Sequence, residues 1–166
     1  MSMFKYSVGP WNVHDGADAY GPATRDIIPL EEKIKKFAGM GFSAIQFHDD
    51  DAVPNMNNLS ESEIIEEASK VKVLLDKYNL KAEFVAPRLW MDPHTVDGGF
   101  TSNSDTDREF ALWRAYRSID IANALECDKI VLWLAREGTI CYESKSPVES
   151  TNKLVDAINK MLQYDK

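Results

Sequence analysis

The feature that most constrains this chain is an alternation. Four times, a short apolar run of strand length is followed by a segment with helical spacing. Such alternation argues for parallel strands, because a parallel partner needs a crossover long enough to hold a helix. The runs occupy residues 4–8, 43–47, 81–86 and 129–134. The last, Lys-Ile-Val-Leu-Trp-Leu, is almost wholly apolar, which suits a parallel strand covered on both faces. The helical segments have readable ends. Pro29 fits a first turn, with Leu30, Ile34, Phe37 and Ala38 at helical spacing behind it and Gly41 as the stop. Ser60 and Glu63 form a capping box ahead of Ile64, Ala68, Val71, Leu74 and Leu75, and Asn79 can close that helix in the left-handed conformation. Residues 105–125 read as a third helix. Ser146-Pro147-Val148-Glu149 opens a fourth, with Leu154, Ile158 and Leu162 expected on its buried face.

Two architectures satisfy this pattern: a small doubly wound open sheet, or part of a (βα)8 barrel. A whole barrel takes about 250 residues. The 166 residues here supply a single domain, 1–166, so on the second architecture they could form only about half of one, a parallel (βα)4 half of a TIM (βα)8 barrel. The chain has neither G-x-G-x-x-G after its first strand nor G-x-x-x-x-G-K-[ST], so the usual nucleotide arguments fall away. At 44% apolar and 28% charged residues, disorder is not expected. The net charge of −8, with no basic stripe, argues against nucleic acid and anionic membranes. No apolar stretch reaches membrane-helix length, and the first nine residues do not read as a signal peptide. Cys127 and Cys141 fit no metal spacing or disulfide framework, so reduced thiols and a cytoplasmic location are expected.

The residues able to do chemistry gather after the strands. Trp11 and His14 follow the first, His48-Asp49-Asp50-Asp51 the second, and Arg88 and Trp90 the third. Trp133 ends the fourth, just before Arg136 and Glu137. In a parallel barrel these positions share the C-terminal rim, where active sites of this fold sit. Four neighbouring side chains at a strand end cannot all turn toward one ion. A more economical reading has one aspartate fixing the tautomer of His48 while the other ring nitrogen faces a pocket for acid/base work. The plainer alternative is that the aspartates cap the following turn and His48 packs. Trp11, Trp90 and Trp133 suit the aromatic walls of a sugar site, while Trp113, mid-helix, is assigned to packing. His14 and His94 read as surface residues. Arg136-Glu137 is either a loop ion pair or a pair organising the rim. The long segment 88–104, with Gly98-Gly99, is marked as a functional loop.

Four segments in order resemble the xylose isomerases, especially the shorter, actinobacterial-like class. They are Gly21, Ala23, Thr24 and Arg25 in the first loop; Phe47-His48-Asp49-Asp50-Asp51; Asp97-Gly98-Gly99-Phe100-Thr101; and Trp133 with Arg136-Glu137-Gly138. The resemblance implies an aldose–ketose isomerase of the D-xylose to D-xylulose type on a (βα)8 barrel, with a sugar as small-molecule ligand. It implies that His48 assists ring opening, that Asp51 holds its imidazole, and that Trp133 stacks on the sugar. Trp11 matches a first-strand tryptophan, and Trp90 stands where the family has a phenylalanine. The family uses two divalent metals (Mg, Mn or Co), whose ligands, with a catalytic lysine, belong to its strand five and beyond. The chain ends at Tyr164-Asp165-Lys166, so neither metal nor any other cofactor is expected for it alone.

The family's T-x-N-x-F run reads here Ala86-Pro87-Arg88-Leu89-Trp90, which puts a preference for xylose itself in doubt. The leading expectation is a sugar-isomerase half-barrel, inactive alone. Its alternatives are a non-catalytic sugar-binding module and a self-associating half-barrel. A homodimer, or a higher even oligomer, would close the barrel by pairing its open edges.

Overall fold

A computed structural model describes residues 4–14, 16, 21–138 and 141–165. Residues 15 and 17–20 of the first loop, and Lys166 at the expected end of the half-barrel, lie outside the described residues. Three strands, β1 (Ser7–Val8), β2 (Ala44–His48) and β3 (Lys81–Ala86), form a parallel sheet in the order β1-β2-β3. The helices are α1 (Leu30–Gly39), a short α2 (Asp49–Ala52), α3 (Glu61–Lys77), α4 (Asp105–Ala124) and α5 (Pro147–Tyr164).

The fourth apolar run departs from the expected strand. It lies beside β3 through an isolated parallel bridge at Val85 and Ile130. Val85 N donates to Lys129 O and Val131 N donates to Val85 O, both at 3.0 Å. Beyond Ile130 the run becomes progressively exposed, reaching 64% at Trp133. Without a neighbour on its far side among the described residues, the run lacks the second ladder that would hold a buried parallel strand. The first strand is likewise shorter than the apolar run that suggested it, being regular only at Ser7–Val8.

Side chains alternate across the sheet as pleating demands. Ile45, Phe47 and Val85 face the helices and are fully buried, in a core shared with Ile34, Ile64, Ala68 and Leu75. Gln46, His48, Phe84, Ala86, Val131 and Trp133 line the opposite face. The register skips once: Ile45 is opposite Ala82, but Gln46 is opposite Phe84, so Glu83 is an extra residue in β3.

Local signals in the chain act as expected at several ends. Ser60 N donates to Glu63 Oε2 at 2.8 Å and Glu63 N donates to Ser60 Oγ at 3.4 Å, closing the capping box. Asn79 takes φ 53° after α3. Glu149 N donates to Ser146 Oγ at the start of α5, with Pro147 at its first position. The buried stripe of α5 is turned relative to the expected one: Ala157 and Met161 are buried, while Leu162 is 60% exposed. Leu162 and Ile158 instead border an open groove with Ile119, Ile130 and Leu132.

Candidate functional site

At the C-terminal ends of the strands, an open cleft of about 600 Å³ is lined by nine residues, among them Trp11, His48, Arg88, Trp90 and Trp133. Four of the five residues singled out from the sequence as catalytic or substrate-binding therefore share one cavity. The fifth, Asp51, lies directly behind His48. Each arrives from a different element, so only the parallel sheet brings them together. Trp11 follows Gly9 and Pro10 after β1, and a Cβ at Gly9 would overlap the Trp11 ring. His48 closes β2, and Arg88 and Trp90 follow β3. Trp133 lies three residues past the bridge at Ile130.

The His48 ring is flanked by Trp11, with centroids 4.4 Å apart, and meets Trp90 edge-on at 5.2 Å. Trp133 extends the wall from Trp90, at 6.1 Å. Nδ1 of His48 lies 2.8 Å from Asp51 Oδ2, which also accepts the His48 backbone N–H at 3.1 Å. The same carboxylate thus caps α2 and holds the ring, so capping does not exclude the ring-orienting reading of the motif. Nε2 makes no hydrogen bond among the described residues. Burial works to raise the Asp51 carboxyl. The hydrogen bonds from His48 and the charge of Arg88 outweigh it and hold the group below its ordinary value.

The three consecutive aspartates divide their work. Asp49, fully buried, points away from the cleft and accepts from Arg114 Nε at 2.7 Å, Arg114 Nη2 at 2.8 Å and Ser118 Oγ at 3.2 Å. Asp50 lies between two guanidinium groups, accepting from Arg88 Nε at 2.6 Å and Arg114 Nη2 at 3.1 Å. Only Asp51 serves His48. Arg88, read from the sequence as a departure from the xylose isomerase pattern, is central. Its Nη2 lies 3.0 Å from Asp51 Oδ1 and 2.8 Å from His48 Nδ1, and its guanidinium sits 5.7 Å from the Trp90 ring centroid.

Glu137 joins two of the sequence segments. Its carboxylate accepts the backbone N–H groups of Gly99, Phe100 and Thr101 at 3.1, 2.8 and 2.9 Å, and the Thr101 hydroxyl as well. Among the described residues it makes no ion pair with Arg136, so rim organisation, rather than a loop ion pair, describes it. Gly98 has φ +88°, and a Cβ there would press on Thr101 Oγ1. His14 and His94 are exposed and outside the cleft, as expected, although His94 pairs with Asp107 at 2.8 Å. Trp113 packs against the core. Arg114, Ser118 and Gln46 had no signal in the sequence beyond their place on a helix or an alternating strand.

The metal pair of the xylose isomerases does not fit these residues. The carboxylates of Asp49, Asp50, Asp51 and Glu137 are taken by arginines, by His48 and by backbone amides. Among the described residues no group of three or more His, Cys, Asp or Glu side chains is placed to hold an ion. No described helix is long and apolar enough to cross a membrane.

Residues 34–166 match the family described as xylose isomerase-like TIM barrel. Among solved structures, D-psicose 3-epimerase from Clostridium cellulolyticum H10, with D-tagatose, superposes with a TM-score of 0.66 at 12% identity, over 98% of this chain and 48% of its own. A probable 3-DHS dehydratase involved in petrobactin synthesis from Bacillus anthracis gives 0.62 at 14% identity, over 98% of this chain and 50% of its own. The apo form of 3-keto-D-glucoside 4-epimerase from E. coli gives 0.59 at 18% identity, over 89% and 49%. The chain spans about half the length of these structures, and at such identities the likeness is one of fold.

Proposed function

The chain belongs to the xylose isomerase-like TIM barrel family, and on that premise we propose that it forms the sugar-facing half of an aldose–ketose isomerase site of the D-xylose to D-xylulose type. One observation carries the reading: the His48 ring stands between Trp11 and Trp90 with Nδ1 on Asp51, leaving Nε2 for the cleft. A sugar presents C–H faces that pack on indoles and hydroxyls that need polar partners. Two of the solved structures named above are sugar epimerases, which supports a sugar as the ligand.

In this reading Trp11, Trp90 and Trp133 hold the sugar, and His48 moves protons during ring opening. Nε2 takes the proton of the anomeric hydroxyl as the C1–O5 bond breaks and C1=O forms. The imidazolium then returns that proton to O5. Asp51 holds the ring in orientation and stabilises the charge while it lasts. The later shift between C1 and C2 calls for polarisation of the sugar oxygens, for which the described residues are not arranged. The chain alone therefore opens rings without isomerising them.

The rest of the barrel is assigned to a second copy. Among the described residues both sheet edges are open and carry exposed apolar side chains, Phe4 and Tyr6 on the β1 side and Trp133 and Leu134 on the other. Two copies related by a two-fold axis could pair each edge with the other's opposite edge. A monomer by light scattering at micromolar concentration overturns that assignment.

Polarimetry tests the chemistry. The protein should speed mutarotation of α-D-xylopyranose, and His48→Gln should lose that acceleration by about tenfold or more. Equal rates with and without the protein would remove the acid/base role. Sugar-dependent quenching of tryptophan fluorescence without any acceleration would leave a non-catalytic sugar-binding module.

A further inference from the structure

His48 Nδ1 has two neighbours at the same distance, Asp51 Oδ2 and Arg88 Nη2, each at 2.8 Å. The first can only accept a hydrogen bond and the second can only donate one, since a guanidinium does not give up its proton in a protein. Nδ1 satisfies one of them at a time. Protonated, it donates to Asp51 and opposes an N–H of Arg88. Bare, it accepts from Arg88 and opposes a lone pair of Asp51. Neither neighbour is free to withdraw. Arg88 is tied through Nε to Asp50 at 2.6 Å, through Nη2 to Asp51 Oδ1 at 3.0 Å, and through its backbone N–H to Asp49 Oδ1 at 3.1 Å. Asp51 is tied to the His48 backbone at 3.1 Å.

A carboxylate alone on Nδ1 would fix the ring as Nδ1–H, with Nε2 always a lone pair toward the cleft. We infer that Arg88 is a positioning residue that gives neutral His48 a second, comparably populated tautomer, in which Nε2 carries the proton and presents a donor to the ligand. The exchange moves no net charge: one proton leaves Nδ1 for water and one arrives at Nε2. The cleft can thereby meet a sugar oxygen with either an acceptor or a donor at the same position. The inference rests on the reading of His48 as the ring that faces the sugar, but its test does not involve a sugar.

The measurement is the two-bond 15N–1H correlation spectrum of the histidine side chains in the sugar-free protein, with the rings neutral. His48 is distinguished from His14 and His94 by the signals missing in His48→Gln. In the wild type, the Nδ1 and Nε2 shifts of His48 should be averaged between tautomers that are populated within about threefold of each other. Arg88→Met should collapse them to Nδ1–H. Asp51→Asn, which removes the anionic acceptor and leaves Arg88, should move them the opposite way, toward Nε2–H. A wild-type ring held wholly as Nδ1–H overturns the inference whatever the variants do. So does an Arg88→Met spectrum identical to the wild type, or an Asp51→Asn ring that stays Nδ1–H. Failure of the mutarotation assay with these shifts intact would remove the proposed chemistry and leave the tautomer pair standing.

Discussion

Asp49 and Arg114 stand 65 residues apart in sequence and meet in a two-point ion pair, Nε to Oδ2 at 2.7 Å and Nη2 to Oδ1 at 2.8 Å. Both side chains are removed from solvent, at 0% and 5% exposure. Burial raises the Asp49 carboxyl above its ordinary value, against the pull of Arg114. Every group touching it is a donor, however, and a protonated carboxyl would leave one of them facing an O–H. The pair fastens the inner face of α4 to the turn that carries His48. Arg114→Met strands the carboxylate and should cost about 3–5 kcal/mol of unfolding free energy, read from urea titration. Adding Asp49→Asn should recover part of the loss. A loss below about 1 kcal/mol would mean the pair is not closed in solution.

Acid should loosen the His48 turn through Asp51. Its carboxyl is held below its ordinary value in the folded chain, so the folded state binds that proton less readily than the unfolded one. The stabilisation is fully present above the ordinary carboxylate value and is lost as pH falls through the lowered folded value. The melting-temperature difference between wild type and Asp51→Asn should therefore be largest near neutrality and shrink steadily on acidification. Comparing the two proteins isolates Asp51 from Asp49, whose raised value acts in the opposite direction. A difference that grows in acid would reverse the assignment.

Removing the Glu137 carboxylate should release one loop without unfolding the domain. In Glu137→Ala, the amides of Gly99, Phe100 and Thr101 lose their acceptor. Hydrogen exchange at those three positions should quicken by about tenfold or more, while the α3 amides keep their wild-type protection. Uniform acceleration across the chain would point to global destabilisation instead.

Trp133 and Trp90 should separate stability from binding. Trp133 is 64% exposed, so Trp133→Ala should change unfolding free energy by no more than about 1 kcal/mol while weakening sugar-dependent fluorescence quenching. Trp90 touches both the His48 ring and the Arg88 guanidinium, so Trp90→Ala should lower both quantities. Equal effects of the two substitutions on stability would contradict the difference in their surroundings.

Much of this arrangement was legible because it depends on local order. Caps, helical spacing and strand ends place Trp11, His48, Trp90 and Trp133 on one rim, and Asp51 is set three residues from His48 by the turn itself. What escaped is non-local. The inner stripe of α4 mixes Arg114 and Ser118 with Ala111 and Ala115, a polarity that makes sense only once Asp49 is known to sit beneath it. Adjacent Arg136 and Glu137 left a loop ion pair and a rim role both open, and what decides between them is a set of amides in a loop 36 to 38 residues earlier. The fourth run read as the clearest strand on apolarity alone, and apolarity does not supply a second neighbour to pair with. Arg88 was visible as a substitution in a family pattern, whereas its grip on both members of the His48–Asp51 pair required coordinates.

The extra residue at Glu83 gives β3 a change of parity. Ala82 and Val85 both face the helices although two residues, not one or three, separate them, and Phe84 and Ala86 consequently fall on the open face. The lower part of the strand serves the core while the upper part, leading to Arg88 and Trp90, keeps step with Gln46 and His48. What matters at position 83 is then that the residue is left out of the ladder, since the facing of its neighbours does not depend on which side chain it carries. Its carboxylate does no more than meet Lys129 at 3.4 Å on an exposed edge. Exchange of Glu83 for another residue leaves the count intact. Deleting it would leave Ala82, Phe84, Val85 and Ala86 in plain alternation with Phe84 and Ala86 still on the open face, so tryptophan emission should stay close to that of the wild type, whereas a strand that paired Glu83 in register with Gln46 would turn Phe84 and Ala86 into the helices.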